Sequence, residues 1–450
     1  MNNTYTLADG TVYSKRKDFC PFSTYPLAAY ADIVGDRKIE RIQNISHRLK
    51  GLKILELNSS ARGGGVAEML YSSVPFLNML GIEAEWKIVN GRESYFECTK
   101  MLHNLLQGMK GSFTREMKQT YLSQLQEFAS NNIIDYSSDV VVINDPQPML
   151  LCKYLKKAGE TWLWRCHIDI EPTIKSKNGL LSLLNNWLVG YDAAIFSAAR
   201  YVFPSWLIPK FIIPPFIDPL SEKNRELSQP KIDRVLDKYG IDSQLPIIAQ
   251  IGRFDPWKGL ERTIATYLQL RKEKKCQLVL AGGLATDDPE GARILAKVYE
   301  QTRGDEDIHI LNLPLEDRLE NWREVNALQR AATVIIQPSS REGFGLVVTE
   351  ALWKGKPVIA SNVGGIPFQI KKGNTGYFYQ NPQKTAQKIS YLLDNPRVAE
   401  RIGNRGRKYV QEHFLIVDRI TDYLMTIDIT ANSSSGRGKI TESITSFYPW

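Results

Sequence analysis

Short apolar runs rich in Val and Ile recur along the chain, and the stretches between them carry apolar positions at helical spacing. In the first half, the runs Lys53–Asn58, Ala84–Val89, Asp139–Ile143, Trp162–Ile168, Ala193–Ser197 and Phe211–Ile213 predict strands. Helices are predicted over Asp36–Leu49, with Ile39, Ile42, Ile45 and Leu49 on one face, and over Val66–Leu80, Ser94–Leu106 and Thr114–Phe128. The alternation restarts after Pro214-Pro215-Phe216-Ile217-Asp218-Pro219 and the polar stretch Ser221–Lys231, which together read as a linker. Strands then fall at 247–251, 277–281, 308–311, 333–338 and 357–360, with helices at 260–271, 291–302, 322–331, 347–354, 384–393 and 396–412. Strands alternating with helices predict an α/β protein of two Rossmann-like, doubly wound domains whose carboxyl edges face a cleft. The expected division is residues 1–216, a linker and domain start over 217–245, a second domain over 246–427, and a flexible polar tail over 428–450.

Chemistry concentrates where strands end. The run Thr333–Pro338 leads into Ser339-Ser340-Arg341-Glu342-Gly343-Phe344-Gly345 and then into a helix start at Leu346 and Val347, with Glu350 one turn further on. A strand, a glycine loop and a helix N-terminus can cradle phosphate on backbone N–H groups, and carboxylates beside it suit hydroxyl groups. From these residues alone, a solvated turn with two surface glutamates reads equally well. Arg253 and Lys258 follow the first strand of the second half, where a guanidinium fork and an ammonium suit a diphosphate. Gly63, Gly64 and Gly65 open a helix in the first half, but Glu68 occupies the last glycine position of a dinucleotide fingerprint. His167 and Asp169 close a strand, and Asp145 and Gln147 follow another.

Composition narrows the classes. A chain of 450 residues with 43% hydrophobic content suits a two-domain globular enzyme. The net charge of +8 comes from bases interspersed with acids, as in Arg271-Lys272-Glu273-Lys274-Lys275, and no nucleic-acid-binding signature accompanies it. The five cysteines form no CxxC pair, which speaks against a disulfide framework or a structural zinc site. No His/Cys/Asp cluster has metal-ligand spacing, and Asp305-Glu306-Asp307 reads as solvated. With no signal pattern and no apolar run of spanning length, a cytoplasmic protein without a membrane span is expected.

Arg253, Lys258 and the pair Glu342 and Glu350 together resemble the retaining, glycogen-synthase-like glycosyltransferases of the GT-B fold. Longer words narrow the resemblance to the trehalose glycosyltransferring synthase and trehalose phosphorylase group. They include Asn58-Ser59-Ser60 with Gly63-Gly64-Gly65-Val66-Ala67-Glu68, Asp145-Pro146-Gln147-Pro148 and Trp164-Arg165-Cys166-His167-Ile168-Asp169. Pro219-Leu220-Ser221-Glu222-Lys223-Asn224, Phe254-Asp255-Pro256-Trp257-Lys258-Gly259 and Asp287-Asp288-Pro289-Glu290-Gly291 extend it over about Tyr30 to Ile427. The resemblance implies glucose transfer from a nucleoside diphosphate glucose to glucose, giving trehalose with retention and no tightly bound cofactor or metal. It implies that Arg253, Lys258 and the N–H groups near Gly345, Leu346 and Val347 hold the diphosphate. Glu350 would bind ribose, Glu342 the donor sugar, and His167 would lie beside that sugar. Gly63, Gly64 and Gly65 would lie over donor and acceptor, and Asp145, Gln147 and Asp169 would take acceptor hydroxyls. A homodimer is implied as well. A phosphorylase using glucose 1-phosphate, a transferase making another glycoside, and a non-catalytic sugar-nucleotide-binding protein are the competing readings.

Overall fold

A computed structural model describes residues 4–6, 12–14, 25–60, 64–131, 137–170, 180–203, 206–283, 289–314, 317–434 and 444–446. The chain forms two compact units, one of Met1–Pro215 with Ile416–Trp450 and one of Phe216–Leu415. In the first, β1 (Thr4–Thr6) and β2 (Val12–Ser14) pair as a small antiparallel ribbon. The main sheet holds β3 (Lys53–Asn58), β4 (Glu83–Ile88), β5 (Val140–Asn144), β6 (Thr161–Cys166), β7 (Ala193–Phe196) and β8 (Lys210–Ile212). All its pairings are parallel, in the order β8-β7-β6-β5-β3-β4. Parallel strands are covered on both faces, so β5, β6 and β7 are buried at every position. That is why they are legible as continuous apolar runs.

The second unit has a parallel sheet of β9 (Ile247–Ile251), β10 (Gln277–Gly282), β11 (Ile308–Asn312), β12 (Val334–Gln337), β13 (Val358–Ala360) and β14 (Tyr377–Phe378). Its order is β11-β10-β9-β12-β13-β14. One face of its core gathers Ile248, Leu278, Leu280 and Ile336 against Ile264, Ile389 and Leu392 from the covering helices. Burying each such side chain stabilises the fold by about 1.5–3 kcal/mol. In both sheets the chain reverses direction next to the first main strand, between β3 and β5 in one and between β9 and β12 in the other. Ligands of such sheets bind outside the strand ends at these reversal points.

Two boundaries differ from those the sequence suggests. The helix Ile416–Ser434 belongs to the first unit, and it crosses the expected start of a flexible tail at 428. It is tied to the helix Asp36–Arg48 by Lys38–Asp418 at 2.7 Å and Arg48–Asp428 at 2.8 Å. After it, β15 (Ile444–Ser446) extends the first sheet parallel to β8. The stretch 217–231 is no free linker either. Phe216, Ile217, Asp218 and Asn224 are buried, the carbonyls of Asn224 and Arg225 accept from Arg330, and the helix Gln229–Lys238 begins within it. Its polar residues mimic a linker because their partners lie about a hundred positions away in the chain.

Candidate active site

In the second unit, the loops after β9 and β12 flank the reversal point. After β9 the chain runs through Arg253 to Asp255, whose carboxylate caps a short turn by accepting from the Trp257 N–H at 2.9 Å. Gly259 ends the turn at φ 69°, and a β-carbon there would come within 2.3 Å of the Pro338 carbonyl oxygen. Glycine is therefore required for the two loops to meet. They are also joined by the Ser340 N–H donating to Trp257 O at 2.8 Å, with the Arg341 guanidinium 4.9 Å from the Trp257 ring centre. Gln250, buried on β9, donates to the Lys258 carbonyl at 2.7 Å and sets the direction of that residue.

The Lys258 ammonium lies 2.9 and 2.7 Å from the two carboxylate oxygens of Glu342. Ser339 Oγ donates to the same carboxylate at 3.2 Å, and Gln337 Nε2 donates to Ser339 Oγ at 3.1 Å. Behind Glu342, Gly364 takes φ 56°, and any β-carbon there would lie 1.5 Å from the Glu342 carbonyl oxygen. Gly345, at φ 85°, precedes the helix Leu346–Trp353, whose first-turn N–H groups, at Leu346 and Val347, have no intrahelical acceptor. Arg253 is the more open cation, 45% exposed, with Asp255 3.5 Å away. The site thus places two cations, a carboxylate and a helix N-terminus on one sheet edge. It suits an anion flanked by hydroxyl groups.

Glu350 lies on the helix Leu346–Trp353, one turn beyond the loop. It is 1% exposed, with the Lys223 ammonium 2.7 Å from Oε1 and Gln329 Nε2 donating to Oε2 at 3.2 Å. Burial alone would raise its pKa, but Lys223 and Lys354 outweigh that and hold the carboxyl below its ordinary range. The carboxylate is engaged by Lys223 and Gln329 in this structure. Lys223 itself stands in the stretch that reads as a linker; the family word Pro219–Asn224 contains it but assigns it no partner.

In the first unit, Gly64 and Gly65 start the helix Gly65–Met79 after β3, while Gly63 lies outside the described residues. Asp145 follows β5 and His167 follows β6, on the same carboxyl edge. Asp145 is held at φ 64°, a conformation that costs a non-glycine residue energy. Its N–H donates to Arg165 O at 2.8 Å, Trp164 Nε1 donates to its carbonyl at 3.0 Å, and its carboxylate accepts from the His167 N–H at 2.8 Å. Burial pushes its carboxyl up to about 7 despite the His167 N–H and the Arg165 charge. Burial, with Arg165 adding to it, pushes His167 well below the usual imidazole range, so the ring is neutral. Its Nε2 is 3.0 Å from Asn144 Oδ1, and its Nδ1 is buried without a partner among the described residues. Gln147 Oε1 is likewise buried and unpartnered, whereas Asp169 accepts from Gln107 Nε2 at 2.6 Å. Asp305 and Asp307 pair with Arg271 and are not simply solvated. Among the described residues no group of three or more His, Cys, Asp or Glu side chains could hold a metal ion.

Residues 56–203 match the family described as trehalose synthase, N-terminal domain, and residues 231–409 match glycosyl transferases group 1. A trehalose synthase of Pyrococcus horikoshii is 42% identical over 402 residues, spanning 88% of this chain and 95% of that one. The chain belongs to the trehalose synthase family. It is a glycosyltransferase of the GT-B fold. A trehalose phosphorylase of Grifola frondosa is a more distant relative, 29% identical over 77% of this chain and 52% of its own. Among solved structures, a trehalose-6-phosphate synthase matches with a TM-score of 0.65 at 16% identity, over 84% of this chain and 98% of that one. The Anabaena protein HepE, solved with UDP-glucose, matches with 0.62 at 15% identity, over 84% and 100%. The glycosyl-transferase match, residues 231–409, lies within the second unit.

Proposed function

We propose that the protein is a retaining glycosyltransferase that moves glucose from a nucleoside diphosphate glucose to free glucose, forming trehalose and releasing the nucleoside diphosphate. The observation that carries this reading is the convergence of Lys258, Glu342, Arg253 and the Leu346 helix start on one sheet edge, in a trehalose synthase relative. Arg253 and Lys258 hold the diphosphate, aided by the N–H groups near Gly345, Leu346 and Val347. Lys258 is pre-placed by Glu342, which takes a hydroxyl of the donor sugar once the cation turns to phosphate. Glu350 reaches the ribose only as far as Lys223 yields it. His167, Asp145, Gln147, Asp169 and the glycine turn at Gly64 and Gly65 form the sugar-binding side on the first unit.

In the transfer, the bond between the anomeric carbon and the phosphate oxygen breaks as the acceptor hydroxyl approaches the same face. The leaving phosphate oxygen takes the acceptor's proton, so no protein nucleophile is required. Charge gathers on the departing diphosphate, and stabilising it is the main electrostatic task of Arg253 and Lys258. The donor base stays open between UDP, ADP and GDP. The buried free cysteines Cys98, Cys152, Cys166 and Cys276 favour a reducing, cytoplasmic setting for the reaction. The resemblance also favours a homodimer, which sedimentation at micromolar concentration tests.

The test is direct. The purified chain is incubated with glucose and each of UDP-, ADP- and GDP-glucose, and separately with trehalose and phosphate. Trehalose and nucleoside diphosphate in equal amounts are expected from at least one donor. Glucose 1-phosphate from trehalose and phosphate, with no transfer from any nucleotide sugar, would replace this reading with a phosphorylase.

A further inference from the structure

Resting on the reading of His167 as a sugar-binding residue, we propose that Asn144 is a positioning residue. It sets His167 as a hydrogen-bond acceptor for a sugar hydroxyl, and Glu56 and Tyr423 hold Asn144 in the orientation that does so.

Asn144 ends β5 and is wholly buried. Its Nδ2 lies 2.7 Å from Glu56 Oε2 and 3.3 Å from the Leu57 carbonyl oxygen. A backbone carbonyl can only accept, so the amide nitrogen belongs on the β3 side and Oδ1 faces His167. Oδ1 is an acceptor and stands 3.0 Å from His167 Nε2, so Nε2 carries the proton. The ring is neutral, and its single N–H is therefore spent on Asn144. Nδ1 is left as a lone pair, buried in a residue only 9% exposed and without a partner among the described residues. An acceptor left in that state has lost its water without gaining a donor, which is unfavourable. A ligand O–H relieves the cost, whereas a phosphate oxygen, with no hydrogen to give, adds repulsion.

The relay continues away from the site. Tyr423 donates its O–H to Glu56 Oε1 at 2.6 Å, from the helix Ile416–Ser434 that returns to the first unit. Burial raises the Glu56 carboxyl above its ordinary range, and the Tyr423 hydrogen bond and the Arg165 guanidinium, 5.6 Å from the Tyr423 ring centre, oppose that rise without cancelling it. Each oxygen of Glu56 thus has one donor, and the carboxylate cannot turn without losing both. Tyr423 fixes Glu56, Glu56 fixes the Asn144 amide, and the amide fixes the His167 tautomer.

The experiment uses the full chain labelled with 15N-histidine, which places five ring systems in the spectrum. His167 is identified by the signal lost in His167→Gln. A neutral ring protonated at Nε2 is expected; protonation at Nδ1, or an imidazolium at neutral pH, overturns the proposal. Tyr423→Phe keeps the ring and the fold, and Asn144→Leu removes the amide. Both are expected to give mixed tautomers and to lower kcat/KM for trehalose formation, Asn144→Leu by about tenfold or more. Folded variants with wild-type tautomer and kinetics overturn it, and Tyr423→Phe with the wild-type spectrum decides the matter if Asn144→Leu does not fold. With deoxyglucose analogues as donor or acceptor, one position is expected to lose its discrimination in Asn144→Leu; unchanged discrimination at every position overturns the hydroxyl assignment. The spectra require no turnover, so absence of trehalose synthesis defeats the proposed function, while a wrong tautomer defeats this inference alone.

Discussion

Replacing Lys258 with Ala removes the ammonium held 2.7 and 2.9 Å from the oxygens of Glu342. In the resting protein the loss is moderate. The two side chains are 17% and 11% exposed, between the buried case, where breaking a pair costs about 3–5 kcal/mol, and the exposed case of about 0–1 kcal/mol. An intermediate cost of about 2 kcal/mol corresponds to a fall in melting temperature of about 4–8 °C for a unit of this size. In the reaction the loss is larger. A donor that stabilises a developing oxyanion contributes about 2.7–4 kcal/mol, so kcat should fall by about 10²–10³. Glu342→Gln separates the two roles. It keeps the shape but frees Lys258 from its counter-ion, so nucleoside diphosphate should bind as well or more tightly while glucose transfer falls. The assay pairs trehalose formation with calorimetric binding of the nucleoside diphosphate and a thermal melt of each variant. A folded Lys258→Ala with kcat within about threefold of wild type would refute the role of this cation.

The protonation of Asp145 gives a pH prediction. The native state keeps its proton up to about pH 7 while the unfolded chain releases it near 3.8, so in that window the folded form binds more protons and stability falls as pH rises. At full amplitude the effect is on the order of 4 kcal/mol. Asp145→Asn, which tolerates φ 64° and still accepts from His167 N–H, should flatten the fall of urea midpoints between pH 5 and 8. Asp422, pushed up to about 6 by burial, leaves a residual slope of the same sign; identical slopes in both proteins would contradict the assignment. Gly364→Ala should displace the loop carrying Glu342 and lower activity by at least about 100-fold, because its β-carbon meets backbone at 1.5 Å. Gly304→Ala, at φ 80° with nothing within 4 Å, is the control and should cost only about 1 kcal/mol of strain in a denaturation experiment. Lys223→Met strands the Glu350 carboxylate and should destabilise the protein by about 3 kcal/mol, with Glu350→Gln in the same chain recovering at least half; absence of recovery in the double variant would show that the two do not couple.

The strand-ending chemistry was readable because it sits where local pattern changes. Val334–Gln337 and Ile247–Ile251 are buried on both faces, so each reads as an apolar run, and Glu342, Arg253 and Lys258 follow where the runs stop. The family words carried the family and the fold further than spacing could. Sequence was silent where a polar residue is buried by a partner far along the chain. Lys223 and Asn224 look like linker until Glu350 pairs with the first and Arg330 donates to the carbonyl of the second. Periodicity puts Glu350 one helical turn from the loop but does not show that Lys223 and Gln329 cover it.

Taken alone, the sequence determined two βα alternations, the glycine turns and the cations at strand ends, since each depends on neighbours a few residues apart. Tertiary structure decided the rest. It returned the helix Ile416–Ser434 to the first unit, and it placed Tyr423 on Glu56 across 367 positions and Asn144 between Glu56 and His167. The physical reason is that burial of apolar surface is written into local periodicity, whereas a buried hydrogen bond is satisfied by whichever group the completed fold brings opposite it.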